Sequence, residues 1–227
     1  MFIVRPPERR TRRVPAGAMQ RFDISMPLQP GMAAFPGDPE FVSEPTHSLS
    51  RGDAYSASRL SFGSHAGTHV DPPRHFLPDG EAVDHIDLGI LNGPCLVVGV
   101  DRTRLEVGGS DLPPFPSDTR RVLFRTANSE RWARDGGYFP DFVALTLSAA
   151  EELLRRGIRL VGIDALSVES DPQLRFPVHH LLLRGGALIL EGLLLAEVPP
   201  GPYELECLPL RLHEGDGGPA RAVLLTP

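Results

Sequence analysis

Phe142-Val143-Ala144-Leu145-Thr146-Leu147-Ser148-Ala149-Ala150-Glu151-Glu152-Leu153-Leu154-Arg155-Arg156-Gly157-Ile158-Arg159-Leu160-Val161-Gly162-Ile163-Asp164 reads as strand, helix and strand in succession. Phe142–Leu145 and Leu160–Ile163 are short apolar runs of the kind buried in a sheet. Between them Ser148-Ala149-Ala150-Glu151 has the spacing of a capping box, in which a hydroxyl and a carboxylate three residues on satisfy free N–H groups. The helix it opens stops at Gly157, and Arg155 and Arg156 in its last turn suit the negative end of the helix dipole. A strand–helix–strand unit at this spacing predicts an α/β domain.

Outward from that unit the chain is rich in strands and poor in helices. Cys95–Val100 is apolar and β-branched throughout, and Val122–Thr126, Ala187–Leu190, Tyr203–Cys207 and Ala222–Leu225 add further strands. Phe22–Ser25 alternates like a short strand, and Ser56–Ser64 alternates imperfectly. Thr126–Pro140, a long polar segment with Trp132, reads as loop, or as a short helix plus loop, and as a candidate lid. No repeat and no interdomain linker interrupts the chain. The prediction is a single mixed-sheet domain over residues 19–227, preceded by an Arg- and Pro-rich tail, residues 1–18, expected to be disordered.

Composition sets limits on function. The 227 residues carry a net charge of −6 and are 41% hydrophobic, which allows a sizeable core and gives no basis for a nucleic-acid partner. All 23 basic residues are arginine, a sign of codon bias rather than of function. No apolar run reaches membrane-spanning length, and no apolar core follows the N-terminal charges as in a signal peptide. The two cysteines, Cys95 and Cys207, fall in strand-like runs and read as reduced core residues. A cytoplasmic protein acting on a small molecule, with no membrane partner, is the expectation.

Chemistry concentrates in Ser64-His65-Ala66-Gly67-Thr68-His69-Val70-Asp71-Pro72-Pro73-Arg74-His75-Phe76. Three of the eight histidines and an aspartate fall within eleven residues. Imidazole and carboxylate together suit a divalent transition metal. Gly67 and the prolines argue against a helix here. In an extended segment His69 and Asp71 share one side and Val70 takes the other, with Gly67 bending the chain back toward His65. Far downstream, Glu191 lies in an apolar run where, unless it reaches solvent past Gly192, it needs a cation, a strong hydrogen-bond set or protonation; a metal also explains the histidines, and His179-His180 follows Pro177. His65, His69, Asp71, one of His179 and His180, and Glu191 exceed the ligand needs of one zinc. Such a set suits two metals about 3.5–4 Å apart. His75 is superfluous to that set and is placed to carry a proton. Phe35, in the turn-rich Phe35-Pro36-Gly37-Asp38, is a loop aromatic that either lines a pocket or tucks under its own turn.

These residues resemble the cyclase family, whose bacterial kynurenine formamidases carry the motif H-x-G-T-H-x-D-x-P-x-H, here His65 to His75; isatin hydrolases are relatives. Phe35–Asp38 resembles the family's W-P-G-D loop. Gly162–Ser167, His179-His180, Ile189–Leu193 and Leu208–Arg211 resemble further family blocks in order. The resemblance implies a swivelling β/β/α fold, assembly as a homodimer or homotetramer, and two divalent metals, zinc with manganese also suitable. His65, His69 and Asp71 would hold one ion. Asp71 and Glu191 would bridge to a second, completed by His179. His75 would be the acid/base, and a metal-bridging hydroxide would hydrolyse the C–N bond of an arylformamide such as N-formylkynurenine, or of a cyclic amide. The alternative is a cyclase/dehydratase of secondary metabolism, a lyase using the same site. Phe35 stands where the family has tryptophan, which bears on the substrate more than on the reaction.

Overall fold

The structure, a computed structural model, describes residues 19–227 except 136, 172 and 174. The tail expected over residues 1–18 lies outside the described residues. In chain order the elements are β1 (Arg21–Asp23), β2 (Val42–His47), β3 (Ala57–Ser61), β4 (His69–Asp71), α1 (Leu88–Leu91), β5 (Gly93–Gly99), β6 (Glu106–Val107), β7 (Arg121–Arg125), α2 (Asn128–Asp135), β8 (Ala144–Leu145), α3 (Leu147–Arg155), β9 (Leu160–Ile163), α4 (Pro177–Arg184), β10 (Leu188–Glu191), β11 (Gly201–Pro209) and β12 (Gly218–Leu225).

One sheet runs β1-β12-β11-β5-β7-β9-β10-β4, and β4 also pairs with β12, so seven strands close into a barrel with β1 added outside β12. β5, β7, β9 and β10 are parallel neighbours; β4, β11 and β12 join antiparallel. Closure removes the sheet edges that β4 and β12 would otherwise present.

The continuous apolar runs are explained by burial on two faces. Leu123, Leu160, Leu188 and Leu190 point into the barrel with Val70, Val97, Leu205 and Leu224. The alternate residues Val122, Phe124, Val161, Ile163 and Ile189 point outward to Ala149, Leu153, Val178 and Leu182 of α3 and α4. A strand with period 2 and both faces covered has no polar side to show. The free cysteines, Cys95 and Cys207, are buried in the barrel cluster, and burial pushes both thiols up to about 12. Among the described residues no helix is long and apolar enough to cross a membrane.

Three sequence expectations are corrected. The strand before α3 is only β8, and it pairs in parallel with β6 as a separate ribbon, so the strand–helix–strand unit does not lie in one sheet. The N-cap of α3 is Thr146, whose hydroxyl accepts from the Ala149 N–H at 3.3 Å; Ser148 already lies inside the helix. The first half of the segment expected to be a lid is α2, which is fixed to the core. Asn128 and Ser129 are buried, and the Trp132 indole N–H donates to the Asp164 carbonyl at 2.7 Å.

Candidate metal centre

The barrel's closing strand sets the site. In β4, Val70 enters the barrel while His69 and Asp71 face outward, as alternation requires. β10 pairs with it so that Glu191 lies opposite His69 and Ile189 opposite Asp71. Ile189 packs toward the helices, so Glu191, two residues on, faces the same outer side. The first turn of α4 brings His179 over this face. Pro177 at the helix start is pre-set for that turn.

Two glycines let the segments meet. Gly192 has φ +66°, and a Cβ there would come within 2.2 Å of the Gly67 carbonyl oxygen. That carbonyl accepts from His69 Nδ1 at 2.9 Å. Thr68 locks the junction: its hydroxyl donates to the Gly192 carbonyl at 2.6 Å and accepts from the Met26 N–H at 2.8 Å.

Five predicted donors come together. Asp71, His69, His179 and Glu191 are all 3% exposed or less. Glu191 sends Oε2 to within 3.2 Å of His69 Nε2 and Oε1 to within 3.2 Å of His179 Nε2. Asp71 Oδ1 lies 3.4 Å from His69 Nε2 and 2.8 Å from His65 Nδ1, and its Oδ2 lies 3.7 Å from His179 Nε2. Each carboxylate thus spans the two histidines. Asp71 Oδ2 is buried with no hydrogen-bond partner. An orphaned carboxylate oxygen facing histidine nitrogens is an arrangement a cation completes. His69, Asp71 and Glu191 offer donor atoms within 4.8 Å of one another, as do His65, Asp71 and His75.

The electrostatics follow from this crowding. Burial opposes charge on both imidazoles, but the carboxylates outweigh it: Asp71 and Glu191 hold His69 well above its ordinary range, and Glu169 and Glu191 push His179 up to about 10. Burial also works against charge on Asp71, yet the charge and hydrogen bond of His65 keep it well below the usual carboxylate range. Glu191 is lowered too, against burial and repulsion from Asp71, by His179 and His69.

Glu169, which sequence reasoning missed, completes the frame. It is buried, and it accepts from His179 Nδ1 at 2.6 Å and from the Val178 and His179 N–H groups at 3.0 and 2.8 Å. It therefore caps α4 and fixes the His179 ring with Nε2 toward Glu191, the orientation a ligating histidine needs. The signal available was Pro177 as a first helical residue with a carboxylate shortly before it.

His75 sits in the 3-10 turn Pro73–His75, its ring stacked on His65 at 3.9 Å between centroids. Burial lowers its pKa, with His65 and His179 adding to the effect against Asp71 and Glu191, so it is neutral at pH 7. Phe35 stands edge-on to Tyr138 at 5.9 Å. His180 turns away toward Phe76, and His85 is exposed beside Asp84. Asp164 is buried but serves the fold: its carboxylate accepts from the N–H and hydroxyl groups of Thr126 and Ser129.

The family described as "Putative cyclase" matches residues 22–170. The chain belongs to the cyclase family. A kynurenine formamidase from Erythrobacter litoralis is 36% identical over 206 residues, covering 89% of this chain and 92% of that protein. A structure described as a potential metal-dependent hydrolase with cyclase activity aligns with a TM-score of 0.80 at 32% identity, over 92% of this chain and 99% of the other. Isatin hydrolase A from Labrenzia aggregata, 24% identical, shares the fold with a TM-score of 0.76 over 92% of this chain and 94% of its own. This cyclase-family chain is an enzyme of the hydrolase type, and its donor cluster joins His65, His69 and Asp71 to His179 and Glu191 far downstream in the chain.

Proposed function

We propose that this chain hydrolyses the C–N bond of an amide, with an arylformamide or a cyclic amide as its substrate class, at a centre for two divalent metals, zinc or manganese. The observation that carries the reading is the buried pair Asp71 and Glu191, each reaching toward both His69 and His179. His65, His69 and Asp71 would hold one ion, and Asp71, Glu191 and His179 would hold the second. The formamidase relatives support the amide bond as the target.

When bound, the metals supply polarisation of the scissile carbonyl and a water acidic enough to attack it near neutral pH. The chain's own residues do the rest. Glu169 holds His179 in place through Nδ1. Neutral His75 takes the proton released by the attacking water and returns it to the departing nitrogen. The C–N bond breaks as that proton arrives, leaving an acid and an amine. Phe35 supplies an apolar contact for the substrate at the edge of the site.

Metal loading must displace the protons that the carboxylates hold on His69 and His179. Glu169 and Glu191 favour the protonated form of His179, so an ion binding at its Nε2 must displace that proton. Affinity therefore falls as pH falls, by about tenfold per pH unit for each proton displaced. Calorimetric zinc titrations at pH 7.5, in two buffers of different ionisation heat, are expected to show at least one proton released per ion. Loading without proton release would contradict the assignment of His69 and His179 as ligands.

The reaction itself is tested by giving the zinc- or manganese-loaded protein aryl and alkyl formamides and lactams in 18O-labelled water. Hydrolysis places one label in the released carboxylate. Conversion of a hydroxy acid to a dehydrated or cyclised product, with no turnover of any amide, would replace this reading with the lyase.

A further inference from the structure

We propose that Phe176 is a specificity-determining residue of this site, the wall against which the aromatic ring of an aryl amide packs; this rests on the amide-hydrolase reading above. Phe176 has φ 49° and ψ 52°, a left-handed backbone that bulky side chains rarely adopt, and it precedes Pro177, which restricts it further. Such strain persists only where surrounding bonds enforce it. Here the Asp171 carboxylate does so, accepting from the Arg175 N–H at 2.7 Å and the Phe176 N–H at 3.0 Å.

The strain is not required to start α4. Glu169 already takes the N–H groups of Val178 and His179. Glycine would adopt this backbone without cost, so what phenylalanine adds is its ring. That ring is half-buried and belongs to neither hydrophobic cluster. Its neighbours are the site: His179 at 5.5 Å, Phe76 at 5.3 Å and Phe35 at 6.4 Å between centroids. One short segment thus aims two groups, Glu169 fixing the His179 donor and Asp171 fixing the Phe176 ring beside it. The wall joins the donor cluster to Phe35. An aryl group bonded to the scissile amide would lie along that line, and an alkyl group would gain little from it.

Phe176→Gly and Phe176→Tyr, metal-loaded, are compared on formanilide and N-butylformamide. For the glycine variant the expected result is parental metal content and a Tm at or above the parent's. Its kcat/KM for formanilide falls roughly tenfold, with N-butylformamide changed less than about twofold. Phe176→Tyr keeps the aryl preference. If the glycine variant does not accumulate, Phe176→Leu, apolar but without a flat ring, gives the same comparison. An unchanged aryl-to-alkyl ratio, or equal losses on both substrates, overturns the proposal. If the parent hydrolyses neither formamide, the reaction reading fails and calorimetric binding of formanilide decides this one. Binding weakened about tenfold by Phe176→Gly upholds it; binding that is absent in the parent or equal in both overturns it.

Discussion

Glu191→Ala is expected to lose most of the protein's metal and, with it, most of its activity. Glu191 ends β10 at the point where β4 places His69 opposite it, and its two oxygens divide between His69 and His179 at 3.2 Å each. Alanine removes both contacts, leaving Asp71 alone to span the two histidines. Glu191→Gln is the companion: it keeps an oxygen for the Val168 N–H, which Glu191 Oε1 accepts at 2.6 Å, and removes the charge. Altering a group behind a metal ligand costs about 10- to 100-fold in affinity or activity. Removing a spanning ligand should exceed that, with kcat/KM down by about 10³ or more. Elemental analysis after chelator washing and reconstitution reads the first effect. The parent's Tm should rise on metal addition by linkage, and the variants' should not. A full parental metal content in both variants would remove Glu191 from the ligand set.

That most of the donor cluster could be named from the residues, with His179 preferred to His180 only by the family resemblance, reflects where the constraints lie. Buried carboxylates and clustered imidazoles are costly without a cation, so their presence in apolar surroundings is informative by itself. Alternation put His69 and Asp71 on one side, and the structure shows that side facing α4. The parallel strands β5, β7, β9 and β10 were equally legible, because burial on two faces leaves unbroken apolar runs. What was not legible is non-local. The pairing of β4 with β12 that closes the barrel joins segments far apart in the chain, and nothing in either reports the other. β2, with Ser43, Glu44 and Pro45, has no apolar alternation, since it pairs only with β3 in a largely exposed ribbon. β8 is two residues long, too short for a pattern to say which sheet it joins.

Hydroxyl and carboxylate caps were the other weak point. Thr146 and Ser148 are chemically equivalent candidates to start α3, and their hydroxyls lie 2.9 Å apart. Ser148 has a different partner, accepting the Gly109 N–H at 3.1 Å from the neighbouring turn. That contact decides which one caps the helix, and it depends on tertiary packing. Glu169 is the same case with functional weight. Pro177 marks a helix start but does not say which carboxylate before it serves that start, and the role of Glu169 exists only because α4 folds back so that the His179 ring meets it.

His75→Ala is expected to keep its metal and lose turnover by about 10² to 10⁴, the range for removing a positioned acid/base. The geometry makes this a sharp test. His75 offers a donor atom within 4.8 Å of those of His65 and Asp71, close enough to be a third ligand of that half of the centre. Two features favour proton transfer instead. Its ring is stacked on His65 rather than held by a carboxylate or a carbonyl, unlike His179 and His69, whose second nitrogens are fixed by Glu169 and Gly67. Burial also lowers its pKa, and two cations nearby would lower it further, so it stays neutral and able to accept a proton at pH 7. With His75 present, activity should fall on the acid side as His75 becomes protonated, below the ordinary histidine range; in His75→Ala that limb should disappear while KM changes little. Metal analysis separates the roles. Parental metal with slow turnover assigns His75 to the proton. Metal loss equal to that of His65→Ala would make it a ligand, and parental turnover would leave it no role in the chemistry.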